Sequence, residues 1–192
     1  DGLDAFNALN LIDTTGRLTL RNGRQLTTQG DLTVLGQLII ENPGEAALTA
    51  NTQRGSSDPG ASIVVDGSLT LGENAWMLMQ IGGPTPGMGF APVVVQGVLT
   101  FDDADGEAGA GRLKIRTSDD FTPMLGDFFD ILFYSDVEGG FESIVGLYIG
   151  PGLRFEAEYL PDRLRLTVAG IPAPASAWSL MVGMLALTRR RR

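Results

Sequence analysis

The chain has 192 residues, 43% of them hydrophobic, a formal net charge of −9, and neither cysteine nor histidine. Without these two residue types it has no thiolate nucleophile, no Cys-ligated zinc and no Ser-His-Asp or Cys-His catalytic set. Four of its 14 basic residues end the sequence, so the remainder is more acidic still and is expected to repel nucleic acid.

Three similar segments predict β-strands in the N-terminal half. They are residues 31–40 (DLTVLGQLII), 62–71 (SIVVDGSLTL) and 92–101 (PVVVQGVLTF). Apolar residues alternate on both sides of a central glycine, which is Gly36, Gly67 or Gly97. Alternation with period two is typical of a strand with one buried face, and an interior glycine favours a bend.

The spacing of these segments, about 30 residues, predicts that each repeat forms one turn of a short parallel β-helix, a solenoid. Like side chains are then expected to stack in interior columns. The first column would hold Leu32, Ile63 and Val93, and a second would hold Leu38, Leu69 and Leu99. The alternative is a β-sandwich, which also has short alternating strands and frequent turns.

Residues 112–168 carry further strand-like runs in a looser pattern, after the expected repeats of residues 1–111. In the last run Leu164, Leu166 and Val168 alternate with Arg163 and Arg165, so the arginines are expected to face solvent. A solenoid must cover the exposed core and strand edge at its end. We therefore expect residues 112–168 to form a β-rich C-terminal cap.

Several of these motifs resemble the β-helical passenger repeats of autotransporter-type proteins. The resemblance rests on V-x-G-x-L-T-[LF] strings at 65–71 and 95–101 and on a set of later residues. The later residues are Gly126, Phe129, Asp130, Ile131, Leu132, Gly140, Phe141, Tyr159 and Leu164 to Val168. What the resemblance implies is an all-β, β-helical fold, and it implies no activity.

Acidic residues offer little for chemistry. A loop carries Asp102, Asp103, Asp105 and Glu107, but its spacing does not fit an EF-hand, so a solvated turn is favoured over a calcium site. Asp119, Asp120, Glu156 and Glu158 are expected at strand ends and on outer faces, and no pair is placed as in a glycosidase. The sequence therefore predicts no catalytic, cofactor-binding or metal-binding residues, and no enzyme.

The last part of the chain, residues 169–192, has three consecutive parts. A proline segment comes first, then an apolar stretch from 175 to 187 expected to be helical, then a basic end. The proline segment is Ile171, Pro172, Ala173, Pro174 and Ala175; the apolar side chains are Trp178, Leu180, Met181, Val182, Met184, Leu185 and Leu187; the basic end is Arg189, Arg190, Arg191 and Arg192. A helix of this length spans about 20 Å of a bilayer core of about 30 Å, and the arginines are expected to stay cytoplasmic.

This order of parts resembles the PEP-CTERM sorting signal, with Ala173 where that family usually has glutamate. The resemblance implies an exported protein whose precursor is held transiently in the inner membrane. It further implies cleavage near the prolines by an exosortase-like processing enzyme, after which the body reaches the cell surface or the extracellular matrix.

Two functions remain open from the sequence. The first is a non-enzymatic structural protein of the surface or matrix, with envelope polysaccharide as a partner. The second is a carbohydrate-binding or carbohydrate-active β-helix fragment whose site lies upstream of Asp1. A structural protein is expected to show a bland polar face, whereas an enzyme needs converging carboxylates. The candidates for such a face are Thr33, Gln37, Ser68, Thr70, Gln96 and Thr100.

Overall fold

The computed structural model describes residues 8–21, 24–41, 62–86, 89–102 and 109–172, and this part of the chain is all-β, with no helix. Seventeen strands follow one another. They are β1 (Leu11–Ile12), β2 (Arg17–Arg21), β3 (Gln25–Thr28), β4 (Leu32–Val34), β5 (Gln37–Glu41), β6 (Ser62–Val65), β7 (Leu69–Gly72), β8 (Trp76–Ile81), β9 (Val93–Val95), β10 (Val98–Asp102), β11 (Arg112–Thr117), β12 (Phe128–Phe133), β13 (Asp136–Glu138), β14 (Ser143–Val145), β15 (Tyr148–Gly150), β16 (Leu153–Leu160) and β17 (Arg163–Gly170).

The strands form three sheets, and up to β14 each strand pairs in parallel with the strand three places further along the chain. Sheet A has the order β1-β4-β7-β10-β13, and sheet B the order β2-β5-β8-β11-β14. Sheet C begins β3-β6-β9-β12 and continues β17-β16-β15. We call three consecutive strands, one from each sheet, a coil. This arrangement is compatible with a β-helix or solenoid-like fold, whereas a β-sandwich consists of antiparallel sheets.

The core lies between the sheets and consists of aligned columns of apolar side chains. Strand register places one column in each sheet, and nearly every member is buried. The columns are Leu32, Leu69 and Leu99 in sheet A; Leu18, Leu38, Met77 and Leu113 in sheet B; and Leu26, Ile63, Val93 and Leu132 in sheet C. Each side chain of this size contributes about 1.5–3 kcal/mol through burial.

The expected columns were half right. Ile63 does stack on Val93, and Leu69 does stack on Leu99. Leu32, however, stacks on Leu69 in sheet A and not on Ile63, which lies in sheet C. Leu38 likewise belongs to sheet B, so its assignment to the column of Leu69 and Leu99 was wrong.

The true first copy of the repeat is residues 25–34 (QLTTQGDLTV), because Gln25 pairs with Ser62. Its glycine, Gly30, stands at the same corner between sheets C and A as Gly67 and Gly97, whereas Gly36 stands between sheets A and B. Backbones approach closely there: a Cβ on Gly67 would lie 2.6 Å from the carbonyl carbon of Gly30. Glycine is therefore required at this corner by the stacking of one coil on the next.

The pairing changes direction at the C-terminal end of the molecule. Strands β15, β16 and β17 pair antiparallel, and β17 pairs antiparallel with β12 at the end of the parallel part of sheet C. Parallel pairs continue through β11–β14 and β10–β13. The change therefore lies later in the chain than residue 112, where the cap was expected to begin.

Aromatic side chains fill the interior beneath this antiparallel segment. The ring of Phe129 in β12 meets that of Phe155 in β16 edge to face at 5.9 Å, and that of Phe90 at 5.5 Å. Such pairs add about 0.5–1.5 kcal/mol to the burial of the rings. The outward residues of β13 at the edge of sheet A are Asp136 and Glu138, whose charges discourage another strand from pairing there.

Candidate functional site

The start of the predicted sorting tail is exposed directly after the last strand. Strand β17 ends at Gly170, and the amide of Ile171 donates a hydrogen bond of 2.8 Å to the carbonyl oxygen of Gly152. The side chain of Ile171 is 40% exposed, and Pro172 is exposed as well. The remaining tail residues lie outside the described residues. These are Ala173, Pro174 and Ala175 of the proline segment, the apolar stretch and Arg189 to Arg192.

Within the described ranges the chain contains no helix long and apolar enough to cross a membrane.

The acidic loop after β10 is described only at its first residue. Asp102 ends β10 and is exposed, while Asp103, Asp105 and Glu107 lie outside the described residues. In the part of the chain that the structure describes, no three acidic residues lie close enough together to hold a metal ion.

The other acidic residues named from the sequence lie on the surface, as expected. Asp119 and Asp120 occupy an exposed turn after β11. Glu156 and Glu158 face outward on β16, and Glu156 forms an ion pair of 2.6 Å with Arg154. Among the described residues this arrangement offers no cleft with two opposed carboxylates of the kind a glycosidase uses.

The outer face of sheet C carries a charged cluster that sequence reasoning did not single out. Asp130 of β12 accepts hydrogen bonds from Arg165 at 2.6 and 2.9 Å and from Arg163 at 3.0 Å. The bonds from Arg165 hold the pKa of Asp130 below its usual value; partial burial opposes this effect, and Arg163 adds to it. The two guanidinium groups lie over the rings of Phe128 and Phe133, so the cluster is internally satisfied and its role is structural.

The outer face of sheet A is polar and uncharged along one row. Thr33, Thr70 and Thr100 stand opposite one another in register. Ser68 at the nearby corner accepts a hydrogen bond of 3.2 Å from the amide of Val98. Three of the six residues proposed for a bland face therefore form one row, whereas Gln37 lies on sheet B.

The outer face of sheet B is basic, although the protein is acidic. We call it the basic face. Its outward residues stand in three rows across the sheet. The first row is Arg17, Gln37, Trp76, Arg112 and Ser143; the second is Thr19, Ile39, Leu78, Lys114 and Val145; the third is Arg21, Glu41, Gln80 and Arg116. Five of the ten basic residues that precede the terminal arginines thus share one side of the molecule.

Only some of these cations have acidic partners. Arg21 forms an ion pair of 2.6 Å with Glu41, and Arg112 forms one of 3.2 Å with Glu142. The guanidinium of Arg112 also lies 5.5 Å from the ring centre of Trp76.

Three cations of the basic face stand without such partners. Arg17, Lys114 and Arg116 are exposed, and no carboxylate of the described residues lies within 4.0 Å of them. A shallow depression beside them is lined by Arg17, Thr19, Arg21 and Arg24. The sequence signal for this face was the alternation of basic residues in RLTLR (17–21) and RLKIR (112–116), two segments far apart in the chain.

No protein-family model, curated protein or solved structure matches this chain. Functional reasoning therefore starts from the residues of the chain itself.

Proposed function

We propose that this protein is an exported structural protein of the bacterial cell surface or extracellular matrix. Its body is a short parallel β-helix closed by an antiparallel C-terminal segment, and its C-terminal residues act as a sorting signal. One observation carries the proposal: the last strand ends at Gly170, and the proline segment begins exposed at Ile171 and Pro172. A processing enzyme therefore reaches this segment without unfolding the body.

The tail supports export through its three-part order. The proline segment fixes an extended backbone, the apolar stretch is long enough to enter a bilayer, and the four terminal arginines keep the end of the chain on the cytoplasmic side. In this proposal the inner membrane holds the precursor transiently. An exosortase-like enzyme then cleaves near Pro172, and the acidic body leaves the membrane.

The body supports a structural role rather than a catalytic one. Its buried residues form continuous columns, so each coil stabilises the next, and its outer face on sheet A carries the uncharged row of Thr33, Thr70 and Thr100. The acidic side chains of the described residues point outward or form ion pairs. A rigid rod with polar sides suits a component of a surface layer or matrix.

The test is intact-mass measurement of the gene product in its native host, separated into membrane and released fractions. We expect a released body that ends between Pro172 and Ala175 and lacks the arginines. A chain found only uncleaved and only in membranes would show a plain anchor, and an uncleaved chain in the cytoplasm would overturn export altogether.

Three variants sharpen this test. Replacing Arg189, Arg190, Arg191 and Arg192 by alanine is expected to abolish release of the processed body, because the orienting charge is lost. Replacing the same four residues by lysine keeps the charge and is the matched control, with processing expected to continue. Ala173→Glu supplies the glutamate usual in the family and is expected to speed processing; slower release in this variant would contradict the proposed recognition.

A further inference from the structure

We propose that the basic face of sheet B binds a linear acidic polysaccharide whose anionic groups are carboxylates. The face is exposed at Arg17, Lys114 and Arg116, and these cations stand without acidic partners among the described residues. In a chain with a formal net charge of −9, half of the non-terminal basic residues on one sheet form the natural contact for a negatively charged ligand.

The cations are arranged along two strands that flank a neutral centre. Arg17 and Arg21 stand on β2, and Arg112, Lys114 and Arg116 stand on β11, three strand positions away in sheet B. Neighbouring strands are about 4.8 Å apart, so the two basic rows are separated by about 14 Å. An extended chain lying across the sheet therefore meets both rows at once.

The centre between the basic rows suits a sugar chain. It presents the amides of Gln37 and Gln80 and the partly buried ring of Trp76. Amides bind hydroxyl groups as donors and as acceptors, and an aromatic ring packs against the apolar face of a sugar. The guanidinium groups match a carboxylate in geometry because their paired N–H groups bind its two oxygens together.

Charge density favours a carboxylated polysaccharide over nucleic acid. Double-stranded DNA carries one charge for about every 1.7 Å of its axis. Such a ligand would meet Glu41 and Glu142, which lie beside Arg21 and Arg112 on this face, and the acidic remainder of the body. A polysaccharide with at most one carboxylate per sugar places its charges further apart and avoids this repulsion.

A lipid surface fits the basic face less well. Proteins that lie on bilayers insert exposed apolar side chains between the headgroups. The central apolar residues of this face are instead covered, since Ile39 is 6% exposed and Leu78 is partly buried. A flat array of charges and amides with a covered apolar centre is better suited to an extended hydrophilic chain.

This inference deepens the proposed function, because it names the partner class of the same body, and its specific relevance to a matrix rests on that function. The two fail separately. Export is judged by mass and fractionation in the host, whereas binding is measured with the purified full-length chain and added alginate, a linear polyuronate. Pullulan, a neutral glycan, serves as the reference ligand in the same titrations.

Variants of the basic face test the assignment. The triple variant R17Q/K114Q/R116Q is expected to bind alginate about tenfold more weakly, since each exposed ion pair contributes only a few-fold. Lys114→Gln alone is expected to weaken binding a few-fold. Arg154→Gln changes the net charge equally but lies on sheet C, and it is expected to leave binding unchanged. Since these side chains are exposed, equal thermal unfolding of all variants checks that the fold is intact.

Each contrary result has a definite meaning. Unchanged binding in the triple variant would overturn the inference. Equal weakening by Lys114→Gln and Arg154→Gln would show a general charge effect, and equal affinity for pullulan would show that carboxylates are not recognised. If duplex DNA or phosphatidylglycerol vesicles lose binding in the triple variant while alginate does not, the face serves one of those partners, and the assignment to a polysaccharide is wrong.

Discussion

The carboxylate of Asp130 lies 2.6 Å from the Nε atom of Arg165, and this contact joins the last parallel strand of sheet C to the antiparallel segment that follows it. Arg163 reaches the same carboxylate from the same strand as Arg165. The side chain of Asp130 is only 14% exposed. The place where the pairing changes direction is therefore fastened by charge as well as by the backbone.

Replacing Asp130 by asparagine is expected to lower the free energy of unfolding by about 1–2 kcal/mol at pH 7, because the bonds to both arginines lose their charge. The pKa of Asp130 is lowered in the folded state, first by the bonds from Arg165. Its stabilising contribution is thus present above the unfolded value of 3.8 and is lost as pH falls through the lower folded value. Urea unfolding at pH 7 and at about pH 2 measures both effects.

Asp162→Asn is the matched control for Asp130→Asn. Asp162 also pairs with Arg163, but its side chain is 57% exposed. Solvent screening makes such a pair weak. If the two variants lose equal stability at pH 7, or if the loss in Asp130→Asn persists unchanged at about pH 2, the fastening role of Asp130 is refuted.

Tyr134 gives a second, alkaline prediction. Its hydroxyl donates a hydrogen bond of 2.8 Å to the carbonyl oxygen of Leu160, and burial raises its pKa to about 12. The stability that Tyr134 contributes is present below the unfolded pKa of 10 and is lost as pH rises towards 12. Tyr134→Phe is expected to unfold about 1 kcal/mol more easily at pH 7 and to lose less further stability at high pH.

The control for Tyr134 is Tyr148→Phe, since Tyr148 is 68% exposed. Guanidinium unfolding from pH 7 to pH 11 compares the two variants with the parent chain. Parallel loss of stability in the parent and in Tyr134→Phe over this range would contradict the assignment of alkaline sensitivity to Tyr134.

The corrected register predicts which engineered cysteines can form a disulfide. Thr33 of β4 stands opposite Thr70 of β7 on the outer face of sheet A, and the chain has no cysteine of its own. Neighbouring strands are about 4.8 Å apart, within the Cα separation of a disulfide. Thr33→Cys with Thr70→Cys is expected to oxidise within one chain and to stabilise it by about 2–4 kcal/mol.

The control pair is Thr33→Cys with Val64→Cys, which the earlier alignment of residues 31–40 with 62–71 would place side by side. The structure puts Val64 on sheet C, so both thiols are expected to remain free, as shown by the mass after alkylation. Efficient disulfide formation in this pair, and none between positions 33 and 70, would mean that the register is that of the sequence alignment.

Gly67 predicts the cost of a single methyl group at a corner. A Cβ there would lie 2.3 Å from Oδ1 of Asp31 and 2.6 Å from the carbonyl carbon of Gly30, so backbone must move. Gly67→Ala is expected to lower the free energy of unfolding by about 1–3 kcal/mol. Gly150→Ala, with no atom within 4 Å of the added Cβ, is expected to change it little in the same urea titration.

The sequence predicted the strands well because alternation is local. The runs around Ile63, Val93 and Leu164 lie in strands with buried apolar residues, and the arginines beside Leu164 face outward. Register could not be predicted in the same way. Each corner consists of a strand, a bend and another strand, so the segment around Gly36 shows the same alternation as that around Gly67, although the two stand at different corners.

The surface sites divide along the same line. The tail was recognised because its three parts are adjacent in the sequence, and it remains a prediction. The basic face was not recognised because Arg17 and Lys114 are separated by most of the body and meet only when the coils stack. A feature made by stacking needs the register before it can be found.

The pairing of each strand with the strand three places further along has a consequence for the evolution of the molecule. A coil contacts only the coil above and the coil below it, so duplicating one inserts a unit without altering either end. Every such unit lengthens the body by about 4.8 Å. The fold thus behaves as an adjustable spacer, and the distance from β1 to the exposed segment at Ile171 is set by how many units the gene encodes.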